Sequence, residues 1–161
     1  MIKTIVGDIT TIECVDYIVN AANGIGPMGR GVAGAIRRAG GKDVEKDAFR
    51  VCKKEDPQVG EVYVTTAGKM PYKAVIHVVT MKTPGGPTSY QIVRDGLQNL
   101  IIHCRLNGID KIALPAFGTG VGGLDKKMVA EIFIEELRVL EDILFYVVDP
   151  DIEFITYVNS L

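Results

Sequence analysis

Leu114-Pro-Ala-Phe-Gly118-Thr119-Gly120-Val121-Gly122-Gly123-Leu-Asp125 carries four glycines within six residues, set between a strand-like and a helix-like segment. Before it, Lys111 to Leu114 form a short apolar run of strand character. After it, an acidic cap opens a segment with helical spacing. Strand, glycine-rich turn and helix, in that order, make a cradle for an anion. Glycine lets the main chain approach a ligand, and the helix start offers unpaired N–H groups at a positive dipole end. Nearer the N-terminus the same grammar recurs. Tyr17 to Val19 leads into Asn20-Ala-Ala-Asn23-Gly-Ile-Gly-Pro-Met-Gly29-Arg30-Gly31-Val-Ala-Gly34. Two such cradles imply a ligand with phosphates and more than one sugar.

Along its whole length the chain alternates strand and helix. Ile2 to Val6 and Tyr17 to Asn20 are expected strands. Gly31 to Ala39 is an expected helix stopped by Gly40-Gly41, and Lys42 to Lys54 a second one closed by Asp56-Pro57. Glu61 to Thr66 and Ala74 to Thr80 are β-branched and apolar, hence strands. Thr88 or Ser89 caps a long helix reaching Leu106, with Val93, Leu97, Leu100, Ile101 and Cys104 on one face and Asn107-Gly108 at its end. Lys111 to Leu114 is a strand. Asp125 caps a helix that turns Val129, Phe133, Leu137 and Leu140 inward. Ile143 to Val148 is the last strand, and Pro150 suits the first turn of a last helix. This order predicts an α/β domain with helices on both faces of a mixed sheet and ligands at the carboxyl ends of strands. No linker, internal repeat or second domain is visible, so residues 1–161 are expected to form one domain.

Composition bounds the function classes. Of 161 residues 47% are hydrophobic and 24% charged, as in a globular domain that can build a core. The 18 glycines exceed the usual ~7%, and the excess sits mainly in the two loops, which argues for function over low complexity. A net charge of −2 argues against a general nucleic-acid binder, although Arg30, Arg37 and Arg38 could form a local basic patch. No apolar run is long enough to span a membrane, and Met1-Ile-Lys-Thr-Ile5 is not followed by the apolar core of a signal peptide. Cys14, Cys52 and Cys104 are scattered, without metal-ligand spacing to one another or to His77 and His103. Neither a disulfide framework nor a metal site is expected, and a reducing cytoplasm is the expected compartment.

Individual residues divide between ligand roles and ordinary structural ones. The N–H groups of Gly118 to Gly123 can wrap a diphosphate as a nest; a tight connection without a ligand is the plainer alternative. The loop matches neither a Walker A motif, which needs Lys-Ser/Thr, nor a Rossmann fingerprint. Asn20 and Asn23 stand at a strand end, where amides either hold sugar hydroxyls or close Asx turns; Asn20 is assigned the turn and Asn23 the ligand. Asp8 either accepts from a purine amine or closes a turn. His77, inside Ala74-Val-Ile-His-Val-Val79, is a satisfied, half-buried histidine. Arg37-Arg38 is a solvated helix face.

Taken together, Gly7-Asp8-Ile9-Thr10, Val19-Asn-Ala-Ala-Asn23, Gly31-Val-Ala-Gly-Ala-Ile36, Ile76-His77-Val78-Val79 and Leu114-Pro-Ala-Phe-Gly-Thr-Gly120 resemble the macro domain, in order and over nearly the whole chain. The resemblance implies a three-layer α/β/α fold with a six- or seven-stranded mixed sheet and an ADP-ribose pocket at the strand ends, with no cofactor. By position, Asp8 would contact the adenine amine with the Ile9 backbone beside it. Asn23 would hold the distal ribose and serve any catalysis. Gly29, Arg30, Gly31 and Val32 would cover the pyrophosphate and distal ribose. Gly118, Thr119, Gly120, Val121 and Gly122 would cradle the diphosphate from the other side.

Departures from the family bear on activity. Ala33 stands where one hydrolase branch of the family has a catalytic Asp. Arg37 or Arg38 stands near the Lys of a branch that hydrolyses ADP-ribosyl esters, and Gly122 stands at that branch's Asp. Arginine stays protonated and is no substitute for the lysine nucleophile. Val147-Val148-Asp149 supplies no aromatic to stack on adenine. The resemblance therefore implies binding of ADP-ribose or an ADP-ribosylated protein, with hydrolysis of ADP-ribosyl esters, O-acetyl-ADP-ribose or the 1''-phosphate by a water held between ligand and Asn23. A non-catalytic reader of ADP-ribose, or a binder of poly(ADP-ribose) or RNA, is the alternative.

Overall fold

Val75 to Thr80 are buried without a break, the signature of a strand covered on both faces. They belong to β4 in a computed structural model that describes residues 1–161. The elements are β1 (Ile2–Val6), β2 (Tyr17–Asn23), α1 (Gly31–Gly40), α2 (Lys42–Glu55), β3 (Val62–Thr65), β4 (Ala74–Met81), α3 (Tyr90–Leu106), β5 (Lys111–Leu114), α4 (Lys126–Leu137), β6 (Leu144–Asp149) and α5 (Ile152–Ser160), with a single 3-10 turn at Ile9–Thr11. The six strands form one mixed sheet in the order β1-β6-β5-β2-β4-β3. All neighbours are parallel except β3, which runs antiparallel to β4 at one edge.

Side-chain alternation along the strands fills two separate cores. Val19, Ile76, Leu97, Leu100 and Phe145 lie on one face under α3, α4 and α5. There Phe133 meets Phe117 and Phe154 edge-on, at 5.4 and 5.5 Å between centroids. Ile18, Ile36, Val44, Ala48, Val75 and Val79 fill the other face under α1 and α2. Helix, sheet and helix make the three layers expected from the element order.

Local chemistry sets the helix limits. Gly41 has φ 88° and returns its N–H to Arg37 O at 2.8 Å, which ends α1. Ser89 accepts from Ile92 N and caps α3; Asp125 accepts from Met128 N and caps α4. Three expectations shift. β2 continues past Asn20 to Asn23, because Ala21 and Ala22 pair with Val78 and Val79 of β4. Pro150 lies outside the last helix: Asp151 accepts from Glu153 N at 3.0 Å and is itself the cap. Leu140 reaches the core from beyond the end of α4, which stops at Leu137. No helix is long and apolar enough to cross a membrane.

Candidate ligand-binding site

The strand order places the site. β2 and β5 are neighbours at the centre of the sheet, and each delivers a glycine-rich loop from its carboxyl end. β5 ends one residue after its registered pair, Ala113 with Ile18, whereas β2 continues to Asn23. Between the loops lies a cleft of about 870 Å³. This is the crevice that a parallel sheet opens where its strand order turns back, and its volume suits a nucleotide-sized molecule.

The first loop is built by Asn23. Its Oδ1 accepts from Ile25 N at 3.1 Å and Gly26 N at 2.8 Å, and its Nδ2 donates to Pro27 O at 2.8 Å. Asn23 thus closes the Asx turn and also lines the cleft, with one Nδ2 hydrogen left over. Asn20 makes no such turn. It is buried in β2 and its Nδ2 meets His77 Nδ1 at 3.1 Å. The turn expected at Asn20 falls to Asn23, which keeps its place at the cleft as well, because the strand runs three residues further than the sequence suggested. After Met28 the chain presents Gly29, Arg30, Gly31, Val32 and Ala33 to the cleft. Arg30 occupies the cap position of α1 but makes no side-chain cap bond, and the first intrahelical bond is Gly34 N to Arg30 O. The N–H groups of Gly31, Val32 and Ala33 therefore have no partner within the protein. α4 and α5, which also begin at the cleft, are both closed by aspartates.

The second loop shows the same accounting. Gly123 N bonds to Gly120 O and Leu124 N to Gly118 O, which folds the loop on itself. The N–H groups of Gly118, Thr119, Gly120, Val121 and Gly122 have no acceptor in the protein, and all five residues line the cleft. Its glycines serve separate needs. Gly118 has φ 72°, which favours glycine. A Cβ on Gly122 would lie 2.6 Å from Gly118 O. A Cβ on Gly120 would meet nothing within 4 Å, so that position is free of internal constraint and faces open space.

The end of β6 completes the cleft with residues that the sequence did not single out. Asp149, 8% exposed, accepts from Ala116 N at 3.1 Å and from Asp151 N at 2.9 Å, and so ties the root of the second loop to β6. Burial pushes its carboxyl up from the ordinary value, opposed by those two N–H groups. Lys126, in the first turn of α4, pairs with Asp151 at 2.8 Å and Glu153 at 3.1 Å. Lys126, Asp149 and Asp151 line the cleft from different elements, and only the strand order brings them together. Arg30 is the other cation of the lining and has no carboxylate partner.

Of the residues expected at the site, Asn23, Gly29 to Val32 and Gly118 to Gly122 converge on the cleft. Asp8 and Ile9 are not among the residues lining it. Asp8 is exposed, and its Oδ1 accepts from Thr10 N at 2.9 Å and Thr10 Oγ1 at 2.7 Å, the turn chemistry that the sequence also allowed. It follows β1, whose neighbour β6 carries Asp149, and Gly7 N bonds to Asp149 O. Arg37 and Arg38 lie off the cleft at the far end of α1, Arg37 within 3.7 Å of Glu45. His77 is fully buried, not half-buried. It stacks on Tyr63 at 4.4 Å, and its Nε2 lies 2.8 Å from Thr65 Oγ1. Burial lowers its pKa to about 3, so it stays neutral and away from the chemistry of the cleft.

The macro domain family model matches residues 19–133, a span that includes both glycine loops. The chain belongs to the macro domain family. Among its relatives, an uncharacterised protein of Aquifex aeolicus is 40% identical over 140 residues, 87% of this chain and 82% of that protein. An O-acetyl-ADP-ribose deacetylase of an Enterobacter species is 41% identical over 140 residues, covering 83% of this macro domain and 75% of that protein. A point mutant of the Oceanobacillus iheyensis macrodomain, solved with ADPR, superposes with a TM-score of 0.85 at 27% identity, covering 99% of this chain and 90% of that one.

Proposed function

We propose that this macro domain binds ADP-ribose, free or as the modified end of an ADP-ribosyl ester, across the two glycine loops. The observation that carries this reading is the pair of loops whose main-chain N–H groups have no acceptor in the protein, Gly31 to Ala33 and Gly118 to Gly122, lining one cleft. Donors of this kind cost free energy if left dry, and a diphosphate satisfies several at once. Arg30 adds the one unpaired positive charge at the cleft.

Hydrolysis of O-acetyl-ADP-ribose or a related ester is the activity we assign to the site, supported by the Enterobacter relative's name. The cleft carboxylates do not supply a free base: Asp149 accepts two main-chain N–H groups, and Asp151 is committed to Glu153 N and Lys126. Ala33 has no proton to move. Water held between the ligand's phosphate and the spare N–H of Asn23 is the route the cleft favours, with positioning supplying the rate. The same commitment of every carboxylate also supports the second reading, a non-catalytic reader of ADP-ribosylated protein. Calorimetry with ADP-ribose should show one-to-one binding in the micromolar range, about −8 kcal/mol. Incubation with O-acetyl-ADP-ribose and with an ADP-ribosylated protein then separates hydrolase from reader by product formation. Absence of heat at high protein concentration would remove both readings.

A further inference from the structure

Hydrogen-bond accounting along the first loop isolates one side chain outside the cleft. Gly24 N is held by Lys82 O, and Ile25 N and Gly26 N by Asn23 Oδ1. Residue 27 is proline and has no N–H. Met28 N is held by Oε2 of Glu45 at 2.8 Å, a carboxylate seventeen positions along the chain on α2. From Gly29 to Ala33 no N–H has a partner in the protein. Glu45 therefore stands at the border between the committed and the uncommitted part of the loop. The Met28 side chain, 2% exposed and packed in the α1–α2 core, pins the same residue from its other end.

We propose that Glu45 is a positioning residue for the first glycine loop: by holding Met28 N–H it fixes the path on which Gly29, Arg30 and Gly31 meet the ligand, without touching the ligand itself. This rests on the reading of the cleft as an ADP-ribose site. A carboxylate near an anion site works against binding through its charge. Arg37, with Nη1 3.7 Å from the same Oε2, offsets that charge and acquires a role that its sequence context did not suggest. The competing account is helix chemistry alone. Glu45 sits in the first turn of α2, whose start has no side-chain cap, and an acidic group there favours the helix dipole. The two accounts differ in what they require: the dipole needs the charge, whereas the loop needs only an acceptor oxygen.

Glu45→Ala and Glu45→Gln separate them, with amide hydrogen exchange of the free protein and calorimetry with ADP-ribose as readouts. In Glu45→Ala the Met28 amide should exchange about tenfold faster, the value of one lost hydrogen bond. The Gly26 amide, held by Asn23, should keep its rate. ADP-ribose affinity should fall by a similar factor. Glu45→Gln should restore both readouts, since its amide oxygen can accept from Met28 N–H. Unchanged Met28 exchange in Glu45→Ala overturns the proposal. So does unchanged affinity despite faster exchange, or a Gln variant that behaves like Ala. Should the unmodified protein show no ADP-ribose binding, the reading of the cleft fails, while Met28 exchange still decides whether Glu45 holds the loop.

Discussion

At the scale of single residues, glycines of one loop are required for unlike reasons, and substitution can tell them apart. A Cβ on Gly122 collides with Gly118 O inside the loop, so Gly122→Ala should lower the melting temperature before any ligand is added. Gly120 has open space around it, so Gly120→Glu should keep a native circular dichroism spectrum and melting temperature yet lose ADP-ribose binding through bulk and negative charge. If Gly120→Glu binds normally, the second loop is not the phosphate cradle. Asn23 permits a similar separation. Asn23→Ala removes three hydrogen bonds that shape the first loop, and both affinity and turnover should fall. Asn23→Asp keeps the acceptor for Ile25 and Gly26 but sets a charged oxygen against Pro27 O and in the cleft, so some of the loop's support and some affinity go with the donor. Turnover should fall further than affinity, on the order of a hundredfold, if the spare N–H orients water. Calorimetry beside a turnover assay checks the split.

At the scale of elements, the loops were legible because strand, glycine run and helix are local patterns with a direct physical meaning. Both loops could be read as cradles from their neighbours in the chain, while Gly29 to Val32 were singled out within the first by the resemblance to the macro domain. The contributions of Lys126, Asp149 and Asp151 could not, since each sits at the end of a different element and only the strand order assembles them. Asn20 was wrongly given the turn, and the turn that Asn23 closes was missed, because two alanines hid the continuation of β2, alanine carrying little strand signal. His77 was expected to be half-buried, and its full depth within β4 has a consequence of its own. Its pKa is lowered to about 3 in the folded chain by burial, against 6.5 when free. Between those values the unfolded chain binds a proton that the folded one refuses. Stability present above pH 6.5 is therefore lost as pH falls toward 3, by up to ~1.4 kcal/mol per pH unit. Denaturant midpoints measured from pH 7 to 4.5 should show this slope, and His77→Gln should flatten it. His103, half exposed and also lowered by burial, accounts for a smaller residual slope. A slope unchanged in His77→Gln would place the acid sensitivity elsewhere.

At the scale of the whole molecule, the sheet separates two cores that share its strands. The cysteines report on them independently. Cys104 lies on α3 in one core, Cys52 on α2 in the other, and Cys14 is exposed. Burial pushes the Cys104 thiol up to about 12 and raises that of Cys52 as well, so both are inert as well as shielded. A thiol reagent should label Cys14 alone in the native protein. Because all six strands contribute to packing on one face or both, the cores should open together. Cys52 and Cys104 should become reactive at the same denaturant concentration, read by peptide mass mapping. Separate midpoints would show that the two faces unfold independently and that a single unfolding free energy does not describe the chain.

The free donors that the two loops bring to the cleft are main-chain N–H groups, five of them from Gly118 to Gly122 and three from Gly31 to Ala33. An alanine scan removes side chains and leaves such donors in place, so it will under-report this surface, and most single changes along the loops will look silent. Inheritance meets the same asymmetry. A side chain that performs a reaction can change in one substitution, and Ala33 and Gly122 line this cleft with no acid or base to offer, whereas main-chain donors are left in place by such a change. In a scaffold of this kind, retention of ligand and retention of chemistry drift apart, and relatives with equal affinity need not share a reaction.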